Sequence, residues 1–327
     1  MLSESEFSAF RPLVHGAAEI RNTEDGVLCL RFTEAQTHVY DGNPDFHEKT
    51  FATAGIRLEF TTDARSFELD YRIFRGSSRM FYYFDVEVNG ILVQHDGAES
   101  YAEVPEGTLR VPLDGAVNRV TVWFPCLTAA VITGFRFEGA GRIEPVAHRR
   151  TIICCGDSIT QGYDAFFPSL TYPNQLAAAF DADILNKAIG GEYFNAALAE
   201  HPDAVAPDCV TVAYGTNDWS RQPRADFEEN ARGFFAGLAK MYPGVPVFAI
   251  LPLWRKDCGR VTDVGTFAEA SDFLRGVCGE YADVRVIEGW CLTPHVEEVY
   301  SDRCLHPNDV GFQFMGGNLI RILGKEL

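Results

Sequence analysis

The chain changes character near residue 145, and that change limits its fold more than any other feature. Ahead of it, residues 20–138 read as short strands. Leu28–Phe32, Phe67–Ile73 and Val120–Phe124 carry alternating or β-rich patterns. Turn signals part them: Asp41-Gly42-Asn43-Pro44, Asp96-Gly97 and Asp114-Gly115. Asn89-Gly90 stands between Phe84–Val88 and Ile91–Val93, a two-residue hairpin signal. Many short strands with little helical periodicity predict an all-β sandwich or jelly roll over residues 1–142. Gly139 to Arg150 reads as a linker.

Beyond the linker, strands and helices alternate. Strands are predicted at Thr151–Cys155, Asp183–Lys187, Cys209–Ala213, Val245–Leu251 and Val284–Ile287. Helices are predicted at Pro173–Phe180, Tyr193–His201, Ala225–Met241, Thr266–Tyr281 and Asp309–Leu323. In the last of these, Phe312, Met315, Leu319 and Leu323 form one apolar stripe. Five βα units predict a parallel sheet covered on both faces over residues 150–327. Active sites of such sheets lie at the carboxyl ends of the strands.

The 327 residues are enough for two domains of ordinary size. The net charge of −18 is spread over both halves, with no basic patch. A nucleic-acid or anionic-membrane partner needs local positive potential, so neither is expected. No apolar run reaches transmembrane length, and the start Met1-Leu2-Ser3-Glu4-Ser5-Glu6 lacks the basic and apolar regions of a signal peptide. The nine cysteines form no CxxC pair, which points to reduced core thiols and a cytoplasmic protein. A small-molecule substrate is expected; the oligomeric state is open, a homo-oligomer included.

Four strand-end segments carry polar chemistry. The first strand runs into Gly156-Asp157-Ser158, where a serine is either a nucleophile beside backbone donors or a helix cap. Gly162 lies four residues past Ser158, so this is not the G-x-S-x-G elbow. The second strand ends in Asn186-Lys187-Ala188-Ile189-Gly190-Gly191, where glycines let backbone enter a site or simply turn. The third ends in Gly215-Thr216-Asn217-Asp218; an amide there can donate to an oxyanion, or serve the turn. Ahead of the last helix, His306 in Asp302-Arg303-Cys304-Leu305-His306-Pro307-Asn308-Asp309 suits a general base, or is a solvated residue before a cap.

Together, Gly156-Asp157-Ser158, Gly191, Gly215-Thr216-Asn217-Asp218 and His306-Pro307-Asn308 resemble the motif set of the GDSL, or SGNH, hydrolases. The β-rich first half is similar to that of two-domain members with an N-terminal jelly roll, several of which are carbohydrate esterases. The resemblance implies a flavodoxin-like three-layer α/β/α domain. It implies Ser158 as nucleophile, His306 as general base, and an oxyanion hole from the Ser158 and Gly191 N–H groups and the Asn217 side chain, with Gly190 as the alternative to Gly191. It implies no cofactor and no metal.

One position departs from the pattern. The family places its aspartate three residues before the histidine, where this chain has Arg303; Asp302 lies four before. Either Asp302 reaches His306 through a bulged loop, or a Ser–His dyad operates with a backbone carbonyl or Asp309 in support. The expected activity is a serine esterase removing small acyl groups, acetyl above all, from a carbohydrate or similar alcohol. A lipase, lysophospholipase or thioesterase is the alternative, as is a carbohydrate-binding protein with a weak catalytic half. Trp219 and Trp254 either stack on a sugar or belong to the core. Phe81-Tyr82-Tyr83-Phe84 reads as core and interface.

Overall fold

The computed structural model describes residues 1–327. The first half is a sandwich of two antiparallel sheets. One orders Val14–His15, Arg57–Thr62, Asn118–Trp123, Tyr82–Val88 and Ile91–Ala98 side by side. The other orders Glu19–Thr23, Gly26–Leu30, Thr128–Glu138, Ser66–Arg75 and Glu106–Pro112. Strand Ser66–Arg75 shows why they close on each other: Phe67, Leu69, Tyr71 and Ile73 are buried while their neighbours are not. With a side-chain period of two, one face is apolar and must be covered. Asn89 and Gly90 take the expected hairpin turn, with φ of 54° and 77°.

The second half holds a five-stranded parallel sheet in the order Ala182–Asn186, Arg150–Gly156, Cys209–Ala213, Val247–Ile250, Val284–Ile287. Numbered along this half, that is 2-1-3-4-5, the flavodoxin-like order. Its switch point lies between Arg150–Gly156 and Cys209–Ala213, whose carboxyl ends precede Ser158 and Asn217. Both faces are buried. Ile152 and Cys154 pack with Leu176, Phe312, Met315 and Leu319, whereas Ile153 and Cys155 pack with the helix Arg224–Met241.

The halves share a packed seam of apolar and polar contacts. Trp123 of the sandwich lies in the same core cluster as Ile152 and Phe312. Tyr82 and Phe84 are core, while Phe81 and Tyr83 pack on Phe166. The His95 ring stacks on Phe167 at 4.0 Å, and the Asp85 carboxylate accepts from Ser169 N–H and Oγ.

Three expectations need correction. Tyr193–His201 is not a helix and contains only the 3-10 turn Leu198–Glu200. Phe194 N–H donates to the Asp218 carboxylate, and the Asn195 side chain donates through Nδ2 to the Glu192 carboxylate, so the start of this stretch is tied to two acids outside any helical ladder. The stretch expected to link the halves contains a strand, Ile143–Pro145, paired with Arg57–Thr62. The first half also carries three short helices, Glu4–Phe10, Glu34–His38 and Pro44–Lys49, each with a side-chain N-cap. No helix is long and apolar enough to cross a membrane.

Candidate active site

Ser158 stands where strand Arg150–Gly156 gives way to the one-turn helix Ser158–Gln161. The turn is tight: a Cβ on Gly156 would lie 2.1 Å from Thr160 Oγ1 and 2.9 Å from the Ala213 carbonyl, so only glycine fits. Asp157 caps the helix by accepting from Ile159 N–H. The serine therefore begins the helix rather than capping it, and its N–H has no intrahelical acceptor. Ser158 is 3% exposed, and its Oγ lies 2.9 Å from His306 Nε2.

His306 continues the chain of contacts. Its Nδ1 lies 2.8 Å from Asp302 Oδ2. The other oxygen, Oδ1, accepts backbone N–H bonds from Cys304, Leu305 and His306 at 2.9, 2.7 and 3.1 Å. The loop bulges at Arg303, whose φ is 56°, and the Arg303 side chain turns away to Glu297 and Glu298. The bulge absorbs the extra residue between acid and histidine. Burial pushes the Asp302 carboxyl up, but the bond to His306 and the backbone donors outweigh it and hold the group well below the usual carboxylate range. Asp309 does not join: its carboxylate accepts from Phe167 N–H.

A second acid that the sequence did not single out stands on the same nitrogen. Asp164 Oδ2 lies 3.8 Å from His306 Nδ1 and accepts from Ser301 Oγ. Arg79, from the sandwich, forks onto Asp164 at 2.6 and 3.2 Å. The Arg79 guanidinium also lies 5.3 Å over the Tyr163 ring, which stacks on His306. Asp164 follows Ser158 closely in sequence, but nothing in the sequence ties Arg79 to it.

The glycine loop is tied to the serine strand. Ile189 N–H donates to the Gly156 carbonyl at 3.2 Å. Gly190 N–H is spent on Gln161 Oε1 at 2.7 Å, which removes Gly190 as an oxyanion donor. Gly191 has φ of 88°, a conformation that favours glycine, and its N–H donates to no protein acceptor. Asn217 is 2% exposed and gives one Nδ2 hydrogen to the Glu192 carbonyl at 3.0 Å, leaving the other free.

Buried acids surround this loop. Burial pushes Glu192 up to about 8, against donors from Tyr40, Asn195 and Tyr214. Burial likewise pushes Asp218 up to about 7 and Asp157 up to about 6. Trp219 is core, with Nε1 donating to the Gly265 carbonyl, so it offers no face to a sugar. Trp254 is half-buried and stacked on His295.

One cluster has the side chains of a metal site. His15, Glu59 and His148 bring ligand atoms within 4.8 Å of one another. The Arg57 guanidinium already occupies it, donating to Glu59 Oε2 at 2.9 Å and His148 Nε2 at 2.8 Å. A cation there would meet a fixed positive charge, so the cluster does not suit a metal.

A hydroxyl, an imidazole and a carboxylate in hydrogen-bond sequence, at the switch point of a parallel sheet, have the geometry of serine acyl-transfer enzymes. Residues 154–314 match the model of the GDSL-like Lipase/Acylhydrolase family. The chain carries a domain of that family and is an ester hydrolase. Comparison with curated proteins finds no match. Among solved structures, it is similar to the salicylyl-acyltransferase SsfX3 from a tetracycline biosynthetic pathway. That match has a TM-score of 0.83 at 20% identity, covering 96% of this chain and 94% of that one. A Bacteroides ovatus protein described as a GDSL-like lipase gives 0.76 at 17%, covering 96% and 95%. A family two carbohydrate esterase from Clostridium thermocellum, in complex with cellohexaose, gives 0.64 at 14%, covering 96% and 98%. At these identities the likeness is one of fold, and it spans both halves.

Proposed function

We propose that this ester hydrolase is a serine esterase that removes small acyl groups, acetyl above all, from a carbohydrate or similar alcohol. The observation that carries the reading is the unbroken relay from Ser158 Oγ to His306 Nε2 at 2.9 Å and from His306 Nδ1 to Asp302 at 2.8 Å. In this reading His306 takes the Ser158 proton as Oγ attacks the ester carbonyl. The oxyanion is held by the N–H groups of Ser158 and Gly191 and by the free Asn217 hydrogen. His306 then hands the proton to the departing alcohol. Water, deprotonated by His306, releases the acid and restores Ser158. Asp302 fixes the tautomer that leaves Nε2 free to accept, and it stabilises the imidazolium. The second oxygen of Asp302 is held by three backbone donors, which supports a triad over a dyad.

The carbohydrate side rests on kinship of architecture. A two-domain esterase of this fold has been captured with cellohexaose. In this reading residues 1–142 cover the catalytic half, residues 150–327, and shape its mouth; the packing of Phe81 and Tyr83 against Phe166 supports a cover over a free-standing glycan module. The test is a panel of chromogenic esters from acetyl to long acyl chains, run on wild type and Ser158→Ala. Acetyl preference abolished by the substitution is the expected result. A preference for long chains would replace this reading with a lipase. No hydrolysis of any ester would sink it.

A further inference from the structure

We propose that Lys49, in the β sandwich half, is a positioning residue for the oxyanion site in the second half, an inference that rests on the esterase reading. Lys49 Nζ donates to the Gly190 carbonyl oxygen at 2.8 Å. That carbonyl and the Gly191 N–H belong to one planar peptide, so fixing the oxygen fixes the direction of the N–H. The preceding peptide is fixed as well, through Gly190 N–H and Gln161 Oε1 at 2.7 Å. The donor peptide is thus anchored from two sides, and one anchor comes from the other half of the chain.

Lys49 is itself held in place. It ends helix Pro44–Lys49, is 5% exposed, and gives a second hydrogen to Asp45 one turn earlier. Arg31, fully buried, donates to the Lys49 carbonyl at 2.7 Å and to the Asn186 and Ala188 carbonyls at 2.9 Å each. One guanidinium therefore sets the helix end against the glycine loop. The ammonium adds more than position. A cation on a carbonyl oxygen draws charge through the amide, and the N–H of that amide becomes a stronger donor. The gain is largest when charge develops on the reacting carbonyl, so it favours the transition state over the bound ester. The same helix places Phe46 Cε1 3.8 Å from where a Cβ on Gly191 would stand, with Arg221 Nη1 at 4.0 Å.

The test compares wild type, Lys49→Met and Ser158→Ala on a neutral chromogenic acetyl ester, with affinity for a boronic acid that forms a tetrahedral serine adduct. Lys49→Met is expected to lower kcat about 10-fold, a fraction of the 10²–10³ lost with a whole donor, with KM within about twofold. Boronate affinity should fall in parallel with kcat, which a purely structural role would not produce in folded protein. If Lys49→Met does not fold, Lys49→Gln keeps a neutral donor and should lose about threefold in kcat. Unchanged kcat in either folded variant, beside an inactive Ser158→Ala, would overturn the role of Lys49 and leave the esterase reading standing. An active Ser158→Ala would overturn both.

Discussion

Asp302 Oδ2 reaches His306 Nδ1 at 2.8 Å although four positions separate the two residues. The left-handed turn at Arg303 makes the reach, and three backbone N–H groups hold the opposite oxygen. Asp302→Asn keeps the loop but presents an amide to the imidazole. It is expected to lower kcat by about 10²–10⁴ through the wrong tautomer. Steady-state kinetics on an acetyl ester check this.

Asp164 sits at 3.8 Å from the same nitrogen and is engaged by Arg79. Asp164→Asn alone is expected to cost about threefold or less, since no hydrogen bond to His306 is lost. In Asp302→Ala the imidazolium keeps one nearby carboxylate. The double variant Asp302→Ala/Asp164→Asn should therefore lose more than the product of the single losses, which a double-mutant cycle reads directly.

Asn217 spends one Nδ2 hydrogen on the Glu192 carbonyl. Asn217→Ala removes the donor and leaves that carbonyl without its partner. We expect kcat to fall about 10²–10³-fold, with KM changed by less than about threefold. An unchanged kcat would remove Asn217 from the oxyanion site.

Glu192, Asp218 and Asp157 are pushed up to about 8, 7 and 6 by burial. Each binds its proton more tightly in the folded chain than in the unfolded one, where carboxyls titrate near about 4. Their contribution to stability is full below about pH 4 and is lost as pH rises through the folded values. Asp302 and Asp183 are lowered and act in the opposite direction, losing their contribution as pH falls below about 4. Thermal midpoints are expected to be highest near about pH 5 and to fall toward about pH 8. Glu192→Gln should flatten the upper part of that fall.

Arg31 donates from full burial to the carbonyls of Lys49, Ala52, Asn186 and Ala188. Arg31→Met leaves four acceptors short of a donor, each costing about 1–3 kcal/mol when buried. We expect a loss of at least about 3 kcal/mol in urea unfolding.

Much of this was legible in local pattern. The Asn89-Gly90 hairpin, the five parallel strands and four of the five helices expected beside them follow from short-range chemistry, while the strand-end residues take their roles from the resemblance to the GDSL hydrolases. Ser158, Gly191, Asn217 and His306 stood out because each follows a strand or precedes a helix in a known order. Local sequence does not decide between a triad and a dyad at Asp302, because only the left-handed backbone at Arg303 brings it to His306. Three helices in the first half were missed although their caps were present, as in Thr33 with Gln36 and in Asn43-Pro44. Asn43-Pro44 reads as a turn or as a helix start, and local sequence does not separate them. Tyr193–His201 differs for the opposite reason: its periodicity reads as a helix, but Phe194 N–H is held by Asp218, 24 positions further on, a contact that local pattern does not show. Arg31, Lys49 and Arg79 were invisible because their partners lie about 85–157 positions away across the seam.

The proposed chemistry passes through an acyl-enzyme on Ser158. Wild type mixed with an activated acetyl ester and quenched in acid within one turnover should carry one acetyl group, mapped by peptide mass spectrometry to Ser158. His306→Ala should slow its formation, and Ser158→Ala should show no adduct and no turnover. Undiminished hydrolysis by Ser158→Ala, or an adduct on another residue, would rule out Ser158 as the nucleophile.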